Sequence, residues 1–477
     1  MSAALNRTFL SLRVPNYRRY FAGQVISLSG NWMQTVAEMW LVVKLTGSGT
    51  AVGLTAALQF LPILVFGAMG GVLADRMSKR KLLVITQTLM AVPALTLWAL
   101  TIGGSIEVWM VFALVFARGA INALDNPARQ SFVTELVGPE RTVNAVALNS
   151  VIVHSARIVG PAAAGAVIAL LGVGPCFLFN AISFGAMIVA LWGMDPKQLD
   201  SPKPAPRRRG DLRSGLAYVR RSPQLLIPLA MMALVGTLSY NFQILLPLLA
   251  DFTWHGTATT YALLTTAMGV GSVIGALLAG ARGRVDSKLL VWASAAFGLF
   301  MLAAAAAPTL PLQIAALIPL GMVTVTFAAG VNSTLQLAVE PAMRGRVMAL
   351  YSVVFLGSTP IGAPIVGWLA QTHGPRAGLV LGAIAALGTG GVAALWLNRR
   401  MPSRTIERDD GQRDRPLPRV RRGLRRGAAP ARAHVRHVLR HGRGGARARA
   451  RADRARARSR SRHGAAERAR AGRPSGR

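Results

Sequence analysis

Long apolar runs recur along the chain between about residue 20 and residue 397. Each run has about 20 residues, which is enough for a helix to cross the roughly 30 Å hydrocarbon core of a bilayer. We predict an all-α membrane protein with twelve transmembrane helices, at Tyr20–Val43, Val52–Ala74, Leu82–Ile102, Val108–Leu124, Ala145–Leu171, Cys176–Gly193, Leu225–Leu249, Thr259–Ala279, Leu289–Ala307, Pro311–Val331, Val347–Ala370 and Ala377–Leu397.

The loops between these runs differ sharply in charge. The N-terminal segment and the loops at 76–81, 129–141, 197–221, 282–288 and 344–346 hold 23 lysines and arginines, whereas the loops on the other side hold two, Lys44 and Arg376. Cytoplasmic loops carry the excess of basic residues in membrane proteins. We therefore predict that both termini lie in the cytoplasm.

The longest internal polar stretch divides the predicted helices six and six. We predict a first six-helix half at 1–194, a cytoplasmic linker with an amphipathic helix at 195–223, and a second half at 224–400. The halves are predicted to be pseudo-symmetric, because Gly160 and Gly165 recur as Gly362 and Gly367 at one constant offset. Two related halves with a substrate path between them are a common transporter plan.

The remaining segment, 401–477, holds 25 arginines and no lysine, and it contributes much of the net charge of +36. With few apolar residues it cannot form a core, so we predict that it is disordered. Such a basic segment could attach to anionic lipid or nucleic acid. Its repeated Arg-Ala pattern is also what a GC-rich gene gives when it is translated out of frame, and we favour this second interpretation, so we expect no nucleic-acid partner. The single cysteine, Cys176, excludes an intrachain disulfide.

Polar residues follow one face of the first predicted helix, at Gln24, Ser27, Asn31, Gln34 and Glu38. These spacings have the helical period. Because amides and carboxylates are costly in hydrocarbon, the stripe should face the protein interior or a water-filled cavity. Either it lines a substrate path or it makes hydrogen bonds that hold the bundle together.

Glu38 is the carboxylate well inside the first span, and we predict that it carries a coupling proton. The other intramembrane charges are Arg118 and Arg157. An arginine that approaches Glu38 in one conformation only would make its protonation depend on conformation. Gln24, Asn31 and Gln34, with Asn241 and Gln243 of the seventh predicted helix, are predicted to line a substrate cavity.

Three short motifs carry the remaining candidates. A turn after the second helix reads GGVLADRMSKRK at 70–81, the fourth helix ends in DNPARQ at 125–130, and the fifth contains GPAAAG at 160–165. The turn resembles the signature loop between helices 2 and 3 of the major facilitator superfamily, and GPAAAG resembles the helix 5 signature of its exporters. The stretches at 11–34 and 126–137 resemble the bacterial exporter branch that includes the enterobactin exporter.

This resemblance implies a secondary transporter of the bacterial inner membrane that exports a small amphipathic molecule, of drug or siderophore type, in exchange for protons. It implies alternating access and no cofactor, and we expect a monomer. Gly71, Asp75, Arg76, Gly160, Pro161 and Gly165 lie in its motifs and are assigned to conformational gating. Asp125 and Arg129 are assigned to gating as well, because the superfamily fold would place them beside Asp75 and Arg76 in a cytoplasmic charge network; the alternative for them is an ordinary solvated loop.

Other functions remain open at this point. An importer or a lipid flippase could use the same fold. A polytopic membrane enzyme would need a clustered nucleophile, paired carboxylates or metal ligands, and the sequence pattern favours none of these. No ATP-binding motif of the type GxxxxGK[ST] is present, which favours secondary transport.

Overall fold

The computed structural model describes residues 9–199, 211–282, 287–340 and 343–400. Within these ranges the regular structure is helical and no strand occurs. This confirms the predicted all-α class. The segment 401–477 lies outside the described residues, and so do residues 200–210 of the linker.

The first half consists of six long helices. They are α1 (Pro15–Thr46), α2 (Gly49–Arg76), α3 (Lys79–Ile102), α4 (Val108–Val137), α5 (Thr142–Leu171) and α6 (Gly174–Trp192). The linker carries α7 (Asp211–Arg221), where the amphipathic helix was predicted. The second half comprises α8 (Pro223–Leu238), α9 (Phe242–Leu248), α10 (Ala258–Arg282), α11 (Ser287–Ala306), α12 (Leu310–Ala338), α13 (Arg344–His373) and α14 (Pro375–Arg400).

Eleven segments of the described chain are long and apolar enough to cross a membrane. They match the predicted spans except for the first, because the polar stripe of α1 lowers its hydropathy. At 32 residues, α1 is nevertheless about 48 Å long. Length alone therefore allows α1 to span the bilayer as well, with its polar face turned inward.

The seventh predicted helix is interrupted. α8 ends at Leu238, α9 begins at Phe242, and a π-helical turn follows at Leu249–Thr253. Side chains at the break bond to two neighbouring helices: Ser239 Oγ donates to the Gly382 carbonyl of α14 at 2.7 Å, and the Tyr240 hydroxyl donates to the Thr324 carbonyl of α12 at 2.5 Å. These hydrogen bonds between helices fix the interrupted segment against α12 and α14.

The two halves meet where α2 packs on α13 and α5 packs on α10. Equivalent glycines make equivalent contacts there. A Cβ on Gly165 would lie 2.4 Å from Ala262 Cβ of α10, and one on Gly367 would lie 2.5 Å from the Gly49 carbonyl of α2. Both are too short for a real side chain, so small residues allow the halves to approach closely. The two contacts support the predicted pseudo-symmetry.

Candidate functional site

A buried ion pair joins α1 to α4. Arg118 Nη2 donates to Glu38 Oε2 at 2.5 Å, and the two side chains are 7% and 0% exposed. The other carboxylate oxygen of Glu38 accepts from Gln34 Nε2 at 2.7 Å. Asn180 of α6 donates in turn to the Gln34 side-chain oxygen. We name this group the outer network, since it lies toward the Lys44 end of α1.

A second buried ion pair lies toward the other end of the same half. Asp125 Oδ1 accepts from Thr86 Oγ1 at 2.6 Å and from Gln87 Nε2 at 2.9 Å, both on α3. Its Oδ2 accepts from Arg129 Nε at 2.8 Å, one turn along α4. Arg129 also donates to Gln24 of α1. This inner network satisfies both oxygens of the carboxylate, as a buried charge requires.

The polar stripe of α1 connects the two networks. Ser27 Oγ lies 3.3 Å from Gln87 Oε1, and Asn31 Nδ2 donates to the Ser27 carbonyl at 2.9 Å. The stripe thus runs from Gln24 in the inner network to Glu38 in the outer one. Its residues are buried apart from Asn31, which is partly exposed. The stripe faces the protein interior, and much of it is engaged in hydrogen bonds between helices.

Arg157 does not join Glu38. Its guanidinium lies over the indole of Trp32, 5.1 Å from the ring centroid. It is also near enough to Tyr240, in the second half, for the two to interact electrostatically. The structure therefore brings Arg118 to Glu38 and places Arg157 where the two halves face each other.

Comparison with known proteins identifies the chain. Residues 6–470 match the family described as transmembrane secretion effectors of the major facilitator type. The chain belongs to this family. It is therefore a multi-pass membrane transporter and not an enzyme, as the signature residues imply.

Relatives of this transporter include exporters. It is 24% identical over 263 residues to the staphyloferrin A transporter of Staphylococcus aureus. This match covers 54% of this chain and 65% of the relative, so the chain matches just under two thirds of that protein's length. It is 26% identical to macrolide efflux protein A of Streptococcus pyogenes, over 74% of this chain and 89% of the relative. It is also 26% identical to the enterobactin exporter of Citrobacter koseri, over 76% and 87%.

The fold of the transporter is also seen in solved structures. A bacterial homolog of the human lysosomal transporter Spinster superposes with a TM-score of 0.63 at 13% identity, covering 82% of this chain and 99% of that one. At this identity the match supports the fold alone.

The predicted cavity residues of the second half lie at the helix break of the transporter. Asn241 occupies the N-cap position of α9 without making a side-chain capping bond, and its Nδ2 donates to the Thr237 carbonyl at 2.7 Å. Its buried side-chain oxygen has no hydrogen-bond partner among the described residues. Gln243 is half-buried in the first turn of α9. Whether either contacts substrate stays a prediction.

The gating residues of the turn after α2 are only partly described. Gly71 is half-buried and Arg76 is exposed, whereas the side chain of Asp75 lies outside the described residues. The close approach of α2 to α4 falls on the neighbouring Gly70, where a Cβ would lie 2.1 Å from the Ala123 carbonyl oxygen.

The glycine–proline motif of α5 packs against α1. A Cβ on Gly160 would lie 2.4 Å from Trp32 Cβ and 2.8 Å from the Ser29 carbonyl oxygen. Pro161, the next residue, is buried within the helix. The motif thus sets how closely Trp32 approaches α5, while Gly165 faces the second half.

Several partners were missed at the level of sequence. Thr86, Gln87 and Asn180 hold the two networks, and each is a polar residue inside a predicted span. That was the available signal, because polar residues in membrane helices tend to bond across helices. Lys79 pairs with Glu135, which ties the basic turn to the end of α4.

A contact between the halves on the predicted extracellular side was also missed. Lys44 Nζ lies 2.6 Å from Asp251 Oδ1 of the π-helical turn, and 4.7 Å from the ring centroid of Trp40. The Trp40 ring stacks on Tyr261 of α10 with centroids 6.4 Å apart. We name Lys44, Trp40, Asp251 and Tyr261 the outer latch.

Proposed function

We propose that the transporter exports a small amphipathic molecule, of drug or siderophore type, by alternating access and in exchange for protons. The observation that carries this proposal is the buried Glu38–Arg118 pair between α1 and α4. The names of three relatives support the substrate class, because they refer to staphyloferrin A, macrolides and enterobactin.

Protonation of Glu38 would change the contact between two helices. The ionised carboxylate offsets the charge of Arg118 in a site with almost no solvent. A proton on Glu38 removes that attraction and leaves a buried guanidinium without its counterion, which is unfavourable. Arg118 must then find a new partner or reach water. The proton would thus bias α1 and α4 toward a second arrangement, as coupling requires.

The outer latch supports alternating access. Lys44 belongs to the first half and Asp251 to the second, so their 2.6 Å contact holds the extracellular ends of the halves together. Release of substrate on that side would require this pair to open. The assigned gating residues, among them Asp125, Arg129, Gly160, Pro161 and Gly165, would then transmit the movement to the cytoplasmic side.

The test is Glu38→Gln in inverted vesicles that contain the purified transporter. We expect it to abolish pH-driven accumulation of the dyes fluorescein and rhodamine 6G, while equilibrium dye binding is kept. Glu107→Gln is the matched control, since Glu107 is an exposed carboxylate at the start of α4. Undiminished pH-driven accumulation in Glu38→Gln would remove Glu38 from the mechanism, and dye movement out of inverted vesicles would contradict export.

A further inference from the structure

Arg157 has no counterion in the described part of the chain. Four carboxylates of the described helices pair with other cations: Glu38 with Arg118, Asp125 with Arg129, Glu135 with Lys79 and Asp251 with Lys44. The contact that Arg157 makes is with the Trp32 ring. A cation–π contact leaves the guanidinium N–H groups available, because they point outward in the plane of the fork.

An unpaired charge inside a membrane protein is costly and usually functional. Arg157 is half-buried. It lies where α5 packs on α10 of the second half, because a Cβ on Gly269 would lie 2.8 Å from the Arg157 carbonyl oxygen. Arg157 therefore lies between the halves. In transporters built from two related halves, the transported molecule passes along this interface.

The groups around Arg157 fit an aromatic anion. Trp32 supplies a flat apolar surface on one side. His154, one helical turn before Arg157, has a buried Nδ1 without a hydrogen-bond partner among the described residues. Across the interface, Tyr240 packs edge-on against Phe355 with centroids 5.9 Å apart. The site thus combines a charged donor, a second polar nitrogen and aromatic faces.

We propose that Arg157 binds the anionic group of the transported molecule, so that among aromatic and amphipathic molecules the transporter prefers anions such as carboxylates. The proposal rests on the proposed function, since it assumes that substrate passes between the halves. In this proposal Arg157 binds substrate, whereas Glu38 binds the coupling proton and Arg118 is its ion-pair partner. The planar guanidinium suits a carboxylate because it can donate two parallel hydrogen bonds.

The experiment measures equilibrium binding of two xanthene dyes, without a pH gradient, to the full chain in nanodiscs. Fluorescein is an anion with a carboxylate, and rhodamine 6G is a cation with the same three-ring system. We expect Arg157→Gln to weaken fluorescein binding about tenfold or more, as loss of a charge-assisted hydrogen bond predicts, and rhodamine 6G binding less than twofold. Arg157→Lys should restore part of the fluorescein affinity.

Two controls separate this result from packing and from proton coupling. Arg376→Gln removes another arginine that lies over a tryptophan, 5.5 Å from the Trp254 centroid, and should leave both affinities unchanged. Glu38→Gln should keep the preference for fluorescein even though it stops pH-driven transport. If Glu38→Gln transports normally, the coupling scheme fails while the Arg157 site stands.

Three outcomes would overturn the proposal. They are failure of fluorescein to bind the wild-type protein, an equal loss of both dyes in Arg157→Gln, and an Arg157→Lys variant no better than Arg157→Gln. A lipid source for the anion is tested by comparing nanodiscs of phosphatidylcholine with those containing phosphatidylglycerol. Loss of fluorescein binding in the anionic lipid would assign the site to a headgroup and overturn the substrate role.

Discussion

Glu38 and Arg118 lie 80 residues apart and form a pair of 2.5 Å between two different helices, with the carboxylate fully buried. Gln34 donates to the second oxygen of Glu38, and Asn180 donates to Gln34. The pair therefore has two expected effects, one on transport and one on stability, and the second can be measured without any substrate.

Removing one partner of this pair should destabilise the fold more than removing both. Arg118→Gln leaves Glu38 buried without its cation, and loss of one member of a buried pair costs about 3 to 5 kcal/mol. The double variant Glu38→Gln/Arg118→Gln leaves no unpaired charge and should regain most of that loss. Thermal unfolding in detergent measures both. A double variant that melts no higher than Arg118→Gln would contradict the prediction.

The outer latch should behave as an exposed ion pair in stability and as a gate in transport. Lys44 is 51% exposed, so Lys44→Met should change the unfolding free energy by less than about 1 kcal/mol. A reducible bis-methanethiosulfonate reagent that joins Lys44→Cys to Asp251→Cys, in a Cys176→Ala background, should stop transport, and reduction should release it. A reagent with a spacer is used because the ion pair is made at the end of the long Lys44 side chain, and two cysteines bond directly only when their Cα atoms lie within about 7 Å. Each single cysteine serves as the control. If the cross-linked protein transports as fast as the same protein after reduction, the latch does not need to open.

Alanine substitutions in two helical glycines should have opposite effects. In Gly165→Ala the new Cβ would lie 2.4 Å from Ala262 Cβ, so α5 and α10 must separate, and both melting temperature and transport should fall. In Gly185→Ala nothing lies within 4 Å of the new Cβ. That variant should be stabilised by up to about 1 kcal/mol, since alanine is the better helix former. Equal effects in the two would exclude close packing as the role of Gly165.

The inner network should depend on its charge more than on any one neutral hydrogen bond. Asp125→Asn keeps the size of the side chain but leaves Arg129 without its carboxylate, so transport should fall by tenfold or more, on the order of a lost ionic hydrogen bond. Thr86→Val removes the 2.6 Å hydrogen bond and no charge. It should cost about 1 kcal/mol of stability and little transport. Transport assays and melting curves are measured on both variants. Equal losses of transport in Asp125→Asn and Thr86→Val would contradict the prediction that the charge matters more.

The sequence by itself determined the class of the protein, the positions of its spans and the polar face of α1. The physical reason is that a membrane helix satisfies its backbone internally, so apolar length and the helical period are local signals. Polar side chains are costly in hydrocarbon, so the stripe of α1 was expected to face inward. The structure places four of its residues in the interior: Gln24, Ser27, Gln34 and Glu38. The signature residues of the motifs implied the family, which the match over 6–470 confirms.

Only the tertiary structure decided which arginine pairs with Glu38. Arg118 and Arg157 are both single charges in apolar helices, and periodicity gives the face of a residue but not the rotation and depth of its helix against another. Packing between helices sets this rotation and depth. For example, Trp32 can approach α5 because Gly160 has no side chain. The Lys44–Asp251 contact and the break after Leu238 likewise depend on atoms brought together from distant parts of the chain, and no local pattern encodes them.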